Sequence, residues 1–64
     1  MKIPQFLNDY AEYKFQLFEY ASKEIKEEVR ENIDTILNYV YYDYLTIDEA
    51  IYKINSLHNS LYLA

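Results

Sequence analysis

Apolar residues recur at helical spacing through the middle of this chain, and that pattern restricts its fold more than any other feature. Their separations are four, four, three, four and four residues in the series Ile25, Val29, Ile33, Ile36, Val40 and Tyr44. Such spacing places them on one face of an α-helix. Ser22 is a good capping residue for that helix. We therefore predict an amphipathic helix over 22–44.

A helix is also predicted before it, over 4–21. The only proline, Pro4, suits the start of a helix, where the amide has no intrahelical partner. The apolar arc is wide: its main face contains Ile3, Phe6, Tyr10, Tyr13, Leu17, Tyr20 and Ala21, and one side adds Leu7, Ala11, Phe15 and Phe18. Because a single packing neighbour needs a stripe of only about 100°, we expect this first helix to contact neighbours on two sides.

The junction between these two helices has two interpretations. The apolar stripe changes phase near Ser22, which predicts a break within 21–23. Leu7, Ala11 and Phe18, however, are in phase with Ile25, which would also suit one continuous helix of about forty residues.

The segment Thr46-Ile47-Asp48-Glu49 has the sequence of a capping box, in which a threonine hydroxyl and a glutamate carboxylate each accept an amide of the first turn. It predicts a third helix over 47–61. The apolar face of that helix is expected to contain Ile47, Ala50, Ile51, Ile54, Leu57, His58, Leu61 and Tyr62. The short connection before it predicts a hairpin or a sharp corner.

The fold class predicted from these patterns is all-α: a small three-helix bundle, or a long helical hairpin, forming one domain over 1–64. The segment 39–45 has high β propensity but no accompanying turn signal, so no strand is expected. A 64-residue chain rarely has a core that supplies more than about 3–5 kcal/mol. We therefore expect the core to be completed by homodimerisation.

Residue types that are missing exclude several kinds of chemistry. The chain has no glycine, no cysteine and one histidine, His58. Glycine-rich phosphate loops, disulfides, thiolate zinc sites and paired-histidine metal sites are thus excluded. The residues one helical turn from His58 include no carboxylate to make it a catalytic base. We expect no cofactor, no metal and no enzymatic activity.

The charge and apolar content predict where the protein acts. A net charge of −5 disfavours direct binding to nucleic acid, which depends on basic residues. No apolar run is long enough to span a membrane, and we expect a cytoplasmic location. Ile, Lys, Asn, Tyr and Phe, residues of AT-rich codons, make up nearly half of the chain. This usage suggests an AT-rich genome, such as that of a low-GC bacterium or of its phages and plasmids.

Surface aromatic residues are the strongest candidates for a binding site. Within 39–44, four tyrosines point in several directions on a helix, so they cannot all enter one small core. Tyrosine favours binding patches because its rigid ring loses little entropy and its hydroxyl still forms a hydrogen bond. The residues predicted to form a protein interface are Phe15, Phe18, Tyr39, Tyr41, Tyr42 and His58.

Together these features favour a small non-enzymatic regulator or adaptor that self-associates and docks on a larger protein, inhibiting or redirecting it. One alternative is an acidic mimic of nucleic acid that uses Glu24, Glu27, Glu28, Glu31 and Asp34. The interleaved cations Lys23, Lys26 and Arg30 instead suggest a solvated face with local pairs such as Glu27 with Arg30. A structural subunit of a larger assembly is a further alternative.

Overall fold

The described part of the chain forms three α-helices in sequence: α1 (Gln5–Gln16), α2 (Lys23–Tyr41) and α3 (Ile47–Leu57). The computed structural model describes residues 2–57 and 59, and this part of the chain contains no strand. Each helix packs against the other two. The predicted all-α fold with three helices is confirmed, and the break between α1 and α2 excludes the continuous forty-residue helix.

One hydrophobic core joins the helices. Its buried residues are Leu7, Ala11, Phe18, Val29, Ile33, Ile36, Val40, Ala50 and Ile54. Four of them come from α2, so the central apolar stripe of the sequence is the main wall of the core. Tyr44 was expected to continue that stripe, but it is 76% exposed, because α2 ends at Tyr41 and the chain then turns away.

The core-facing side of α1 differs from the predicted one. Leu7 and Ala11 are buried, whereas the predicted main face is largely in solvent: exposed fractions are 57% for Phe6, 57% for Tyr13, 39% for Leu17 and 88% for Tyr20. The two neighbouring helices flank the side of α1 that contains Leu7 and Ala11: Arg30 of α2 donates to Glu12, and Lys14 donates to Asn55 of α3. α1 does contact two neighbours, α2 and α3, but within the described residues these helices leave most of the predicted main face uncovered.

The first helix is shorter than predicted and ends at Gln16 rather than at residue 21. Beyond it the amides of Leu17 and Phe18 donate to carbonyls three residues back, at 3.2 and 3.0 Å, as in the tight last turns of many helices. Ser22 then adopts an extended backbone, and its Oγ accepts the Ile25 amide at 3.3 Å. The predicted serine cap is confirmed, and it requires the preceding helix to have ended.

The end of α2 is closed by a residue that sequence reasoning missed. Asp43 has a φ of 65°, the left-handed conformation that usually requires glycine. The Tyr44 amide donates to the Tyr39 carbonyl at 2.7 Å and the Asp43 amide donates to the Val40 carbonyl at 3.0 Å. These bonds form a Schellman motif, and the contact between the Tyr39 and Tyr44 rings, with centroids 6.1 Å apart, supplies its apolar part.

The left-handed backbone at Asp43 gives a prediction that separates backbone from side-chain effects. Asp43→Gly and Asp43→Ala both remove the carboxylate, so their difference reports the conformation alone. We expect the glycine variant to be more stable by about 1 kcal/mol, because left-handed geometry costs most residues about 1–2 kcal/mol. Urea unfolding followed by circular dichroism measures the difference. A more stable alanine variant, the order found inside helices, would show that residue 43 is not left-handed.

The capping box predicted before α3 is present. The Glu49 amide donates to Thr46 Oγ1, and the Thr46 amide donates to Glu49 Oε1, both at 3.1 Å. Hydrogen bonds to Thr46 hold the pKa of Glu49 below its ordinary value of 4.5; the backbone amide has the larger effect and the hydroxyl the smaller one. This cap therefore stabilises the fold above that pH and is lost as the pH falls. The predicted end of α3 at residue 61 lies outside the described residues.

Candidate interaction surfaces

The two phenylalanines predicted to form an interface are not both at the surface. Phe18 is 1% exposed and belongs to the core, which corrects its assignment to an interaction surface. Phe15 is half-buried, and the guanidinium of Arg30 lies 4.1 Å from its ring centroid. Arg30 also donates to Glu12 at 3.2 Å. Phe15 is therefore covered by a cation–π contact within the chain.

The predicted tyrosines do lie at the surface, around the junction of α2 and α3. We call the set Tyr39, Tyr41, Tyr42 and Tyr44 the α2–α3 corner; its members are 48% to 76% exposed. The rings form two edge-to-face pairs, Tyr39 with Tyr44 and Tyr41 with Tyr42, the latter with centroids 5.0 Å apart. Such pairs favour defined ring orientations. The corner thus presents aromatic surface that is partly ordered before any partner binds.

Each tyrosine pair borders a shallow depression of its own. One is lined by Tyr39, Tyr44, Leu45 and Lys53, and the other by Lys2, Tyr41, Tyr42 and Asp43. Both combine ring faces, phenolic hydroxyls and one lysine. An arrangement of this kind can accept an apolar side chain and fix it with hydrogen bonds at the rim.

A second aromatic surface runs along α1, and none of its residues was among the predicted site residues. We call it the α1 stripe; it consists of Phe6, Tyr10 and Tyr13 of the helix and of Leu17, which directly follows it. Tyr10 is half-buried and the others are exposed. Lys14 lies beside it, with Nζ 5.6 and 5.9 Å from the centroids of the Tyr10 and Tyr13 rings. The excessive width of the apolar arc was the signal in the sequence that could have identified this stripe.

An acidic surface follows the outer side of α2. It consists of the exposed residues Glu24, Glu27, Glu28, Glu31 and Asp34. Arg30 is directed to Glu12 on α1 and, at 3.9 Å, to Asp34, rather than forming the predicted pair with Glu27. Lys26 is half-buried and lines a depression with Phe15 and Phe18. Two of the three interleaved cations, Lys26 and Arg30, therefore extend toward the α1 side of the molecule.

The remaining predicted site residue, His58, lies outside the described residues. Over the described part of the chain, no three acidic or histidine side chains are grouped so as to hold a metal ion. No helix there combines the length and the apolar content needed to cross a bilayer.

Comparison with protein-family models, with curated proteins and with solved structures finds no match to this chain. A functional assignment therefore depends on the residues and surfaces described above.

Proposed function

We propose that this protein is a non-enzymatic regulator or adaptor that self-associates and docks on a larger protein through the α2–α3 corner. The observation that supports the proposal is the set of four exposed tyrosines at the end of α2 and on the turn that follows it. Large aromatic side chains dominate the energetics of protein interfaces. Here four tyrosines lie at the surface, whereas the buried residues of α2 are valines and isoleucines.

The corner is well suited to binding because little of it must be ordered on association. The Schellman motif fixes the end of α2, and the capping box fixes the start of α3. Ordering loops and side chains at an interface costs about 0.5–1.5 kcal/mol for each flexible side chain. Tyrosines that are already paired on a rigid turn avoid part of that cost.

The charge of the protein indicates the chemistry of its partner. The net charge is −5, while Lys2 and Lys53 line the two depressions at the corner. A neutral or basic protein surface would meet no general repulsion from this molecule. We expect a partner that inserts apolar or aromatic side chains between the tyrosines.

The test is affinity capture from the native host, comparing the wild-type protein with the variant Tyr41→Ala/Tyr42→Ala. We expect the wild type to retain a specific protein. The binding of that purified protein, measured by calorimetry, should weaken at least tenfold in the variant, as for interface residues that contribute strongly.

The matched control is Tyr20→Ala, which removes a tyrosine that is 88% exposed and lies away from the corner. It should bind the partner like the wild type. Circular dichroism should show equal helicity in all three proteins. Equal binding by the corner variant and the wild type would remove the corner from the proposal.

The acidic surface of α2 supports a second candidate, a mimic of nucleic acid. Its five carboxylates lie within the eleven residues from Glu24 to Asp34, over about 15 Å of helix axis. One charge per about 3–4 Å of α-helix axis is close to the roughly 3.4 Å of duplex axis per phosphate of one DNA strand. Cations still interrupt the row, since Arg30 lies 3.9 Å from Asp34, and Lys23, Lys26 and Arg30 line one depression with Glu27 and Glu31.

Salt dependence separates the two candidates. A carboxylate row that replaces phosphates would lose affinity steeply between about 50 and 200 mM salt, and Glu27→Gln/Glu31→Gln would weaken binding. Docking through the tyrosines would depend little on salt and on these glutamates. A large stable oligomer of the protein alone would instead favour the structural-subunit alternative.

A further inference from the structure

The α1 stripe has the spacing of a coiled-coil seam. Phe6, Tyr10, Tyr13 and Leu17 are separated by four, three and four residues, the alternation of d and a positions in a heptad repeat. Within the described fold the seam is covered only at Tyr10, which is half-buried against the core, while Phe6, Tyr13 and Leu17 remain exposed. The stripe thus has the pattern of a surface that packs against another helix. No helix of the described fold covers its exposed members Phe6, Tyr13 and Leu17.

The charges along its two edges indicate which helix that partner is. With Tyr10 at an a position and Tyr13 at a d position, Asp9 occupies a g position and Lys14 occupies an e position. Asp9 is exposed, and Lys14 borders the Tyr10 and Tyr13 rings. Within α1 the g edge thus carries one acidic residue and the e edge one basic residue, and this pair of charges is complementary to a parallel copy of α1.

The direction of pairing follows from the same two residues. Two parallel helices bring each g residue beside the e residue five positions later on the other helix. In a symmetric dimer this places Asp9 beside Lys14 of the second copy, and it does so twice. Antiparallel pairing would place the acidic edges together and the basic edges together, without these attractions.

We propose that two copies of this chain associate through the α1 stripe, with their α1 helices parallel and in register. The proposal rests on the self-association included in the proposed function, and it names the surface and its geometry. The α2–α3 corner is left for the larger partner. Since α1 has 12 residues, the seam is shorter than most stable interfaces, and we expect a dissociation constant in the micromolar range.

The test is a charge exchange measured by sedimentation equilibrium. Lys14→Glu places two like-charge pairs across the seam, and so does Asp9→Lys. Each single variant should raise the dimer dissociation constant about tenfold. The double variant Asp9→Lys/Lys14→Glu restores both attractions in reversed order and should dimerise like the wild type. A double variant as weak as the single ones would overturn the parallel seam.

The loss of contacts within the chain is controlled separately. Lys14 Nζ donates to Asn55 Oδ1 at 2.9 Å, and both Lys14→Glu and the double variant lose that bond. Rescue by the double variant therefore cannot come from restoring it. Asn55→Ala removes the same bond without charging the seam, and its dimerisation should equal that of the wild type. A tenfold loss in Asn55→Ala would overturn the electrostatic argument.

Crosslinking tests the register directly. The chain has no cysteine, so Tyr13→Cys introduces a single thiol that faces its own copy only in a parallel, in-register dimer. We expect rapid disulfide formation on oxidation, and none for the control Thr35→Cys on the outer side of α2. Monomeric wild-type protein at hundreds of micromolar would overturn the dimer, while docking at the α2–α3 corner would still be judged by Tyr41→Ala/Tyr42→Ala.

Discussion

Replacing Phe18 with alanine is expected to lower the free energy of unfolding by about 3–5 kcal/mol. Phe18 is the largest of the fully buried side chains described in the core. Its ring fills space that alanine would leave as a cavity. A domain of this size has about 3–5 kcal/mol of stability in total. The variant should therefore be largely unfolded at 37 °C. Far-UV circular dichroism during heating and in urea measures the loss.

The matched control for this substitution is Phe15→Ala, one helical turn earlier. Phe15 is half-buried beneath Arg30, so its loss removes a cation–π contact and part of an apolar surface. We expect a loss of about 1–2 kcal/mol. Equal losses of unfolding free energy at the two positions would contradict the placement of Phe18 in the core. They would support the interface position predicted from the sequence.

The parts of the fold that could be predicted from the sequence are those fixed by local chemistry. The side chains of Ser22 and Thr46 cap helices by hydrogen bonds to amides three residues away, so a short window of sequence contains the whole interaction. The α2 stripe was also predictable, because a narrow apolar face leaves only one side that can be buried. For α2 the sequence pattern and the core agree from Val29 to Val40, and Tyr44 is the exception.

The orientation of α1 could not be predicted, because its apolar arc offers more than one face to bury. The positions of α2 and α3 determine which face of α1 is buried. The periodicity of apolar residues along α1 alone gives no information about those positions. Leu7 and Ala11 are smaller than the aromatic residues of the α1 stripe, and they allow close approach of the neighbouring helices. The larger rings of Phe6 and Tyr13 were left in solvent.

The candidate site was predicted in part for a similar reason. Four tyrosines within 39–44 exceed what one helix face can bury, so crowding alone predicts that some are exposed. Their pairing into Tyr39 with Tyr44 depends on the left-handed backbone of Asp43. Aspartate tolerates that conformation better than most residues. Unlike a glycine, however, an aspartate in the sequence does not predict a left-handed backbone.

The last prediction compares one substitution at Leu7 of α1 and at Leu17, the residue that follows this helix. Leu7→Ala should lower the free energy of unfolding by about 2–5 kcal/mol, because Leu7 is fully buried and its loss leaves a cavity. Leu17→Ala should lower it by about 1 kcal/mol or less, since Leu17 is 39% exposed. Urea unfolding at a protein concentration below the dimer dissociation constant measures both values without a contribution from association.

The same pair of variants should behave in the opposite order in self-association. Leu17 belongs to the α1 stripe, so Leu17→Ala should weaken the dimer in sedimentation while leaving the monomer folded. If Leu7→Ala were instead the milder change in urea, the apolar arc of α1 would be buried on the Phe6 and Tyr13 side. The helix would then be rotated about its axis, and the α1 stripe would be core rather than a seam for a second copy.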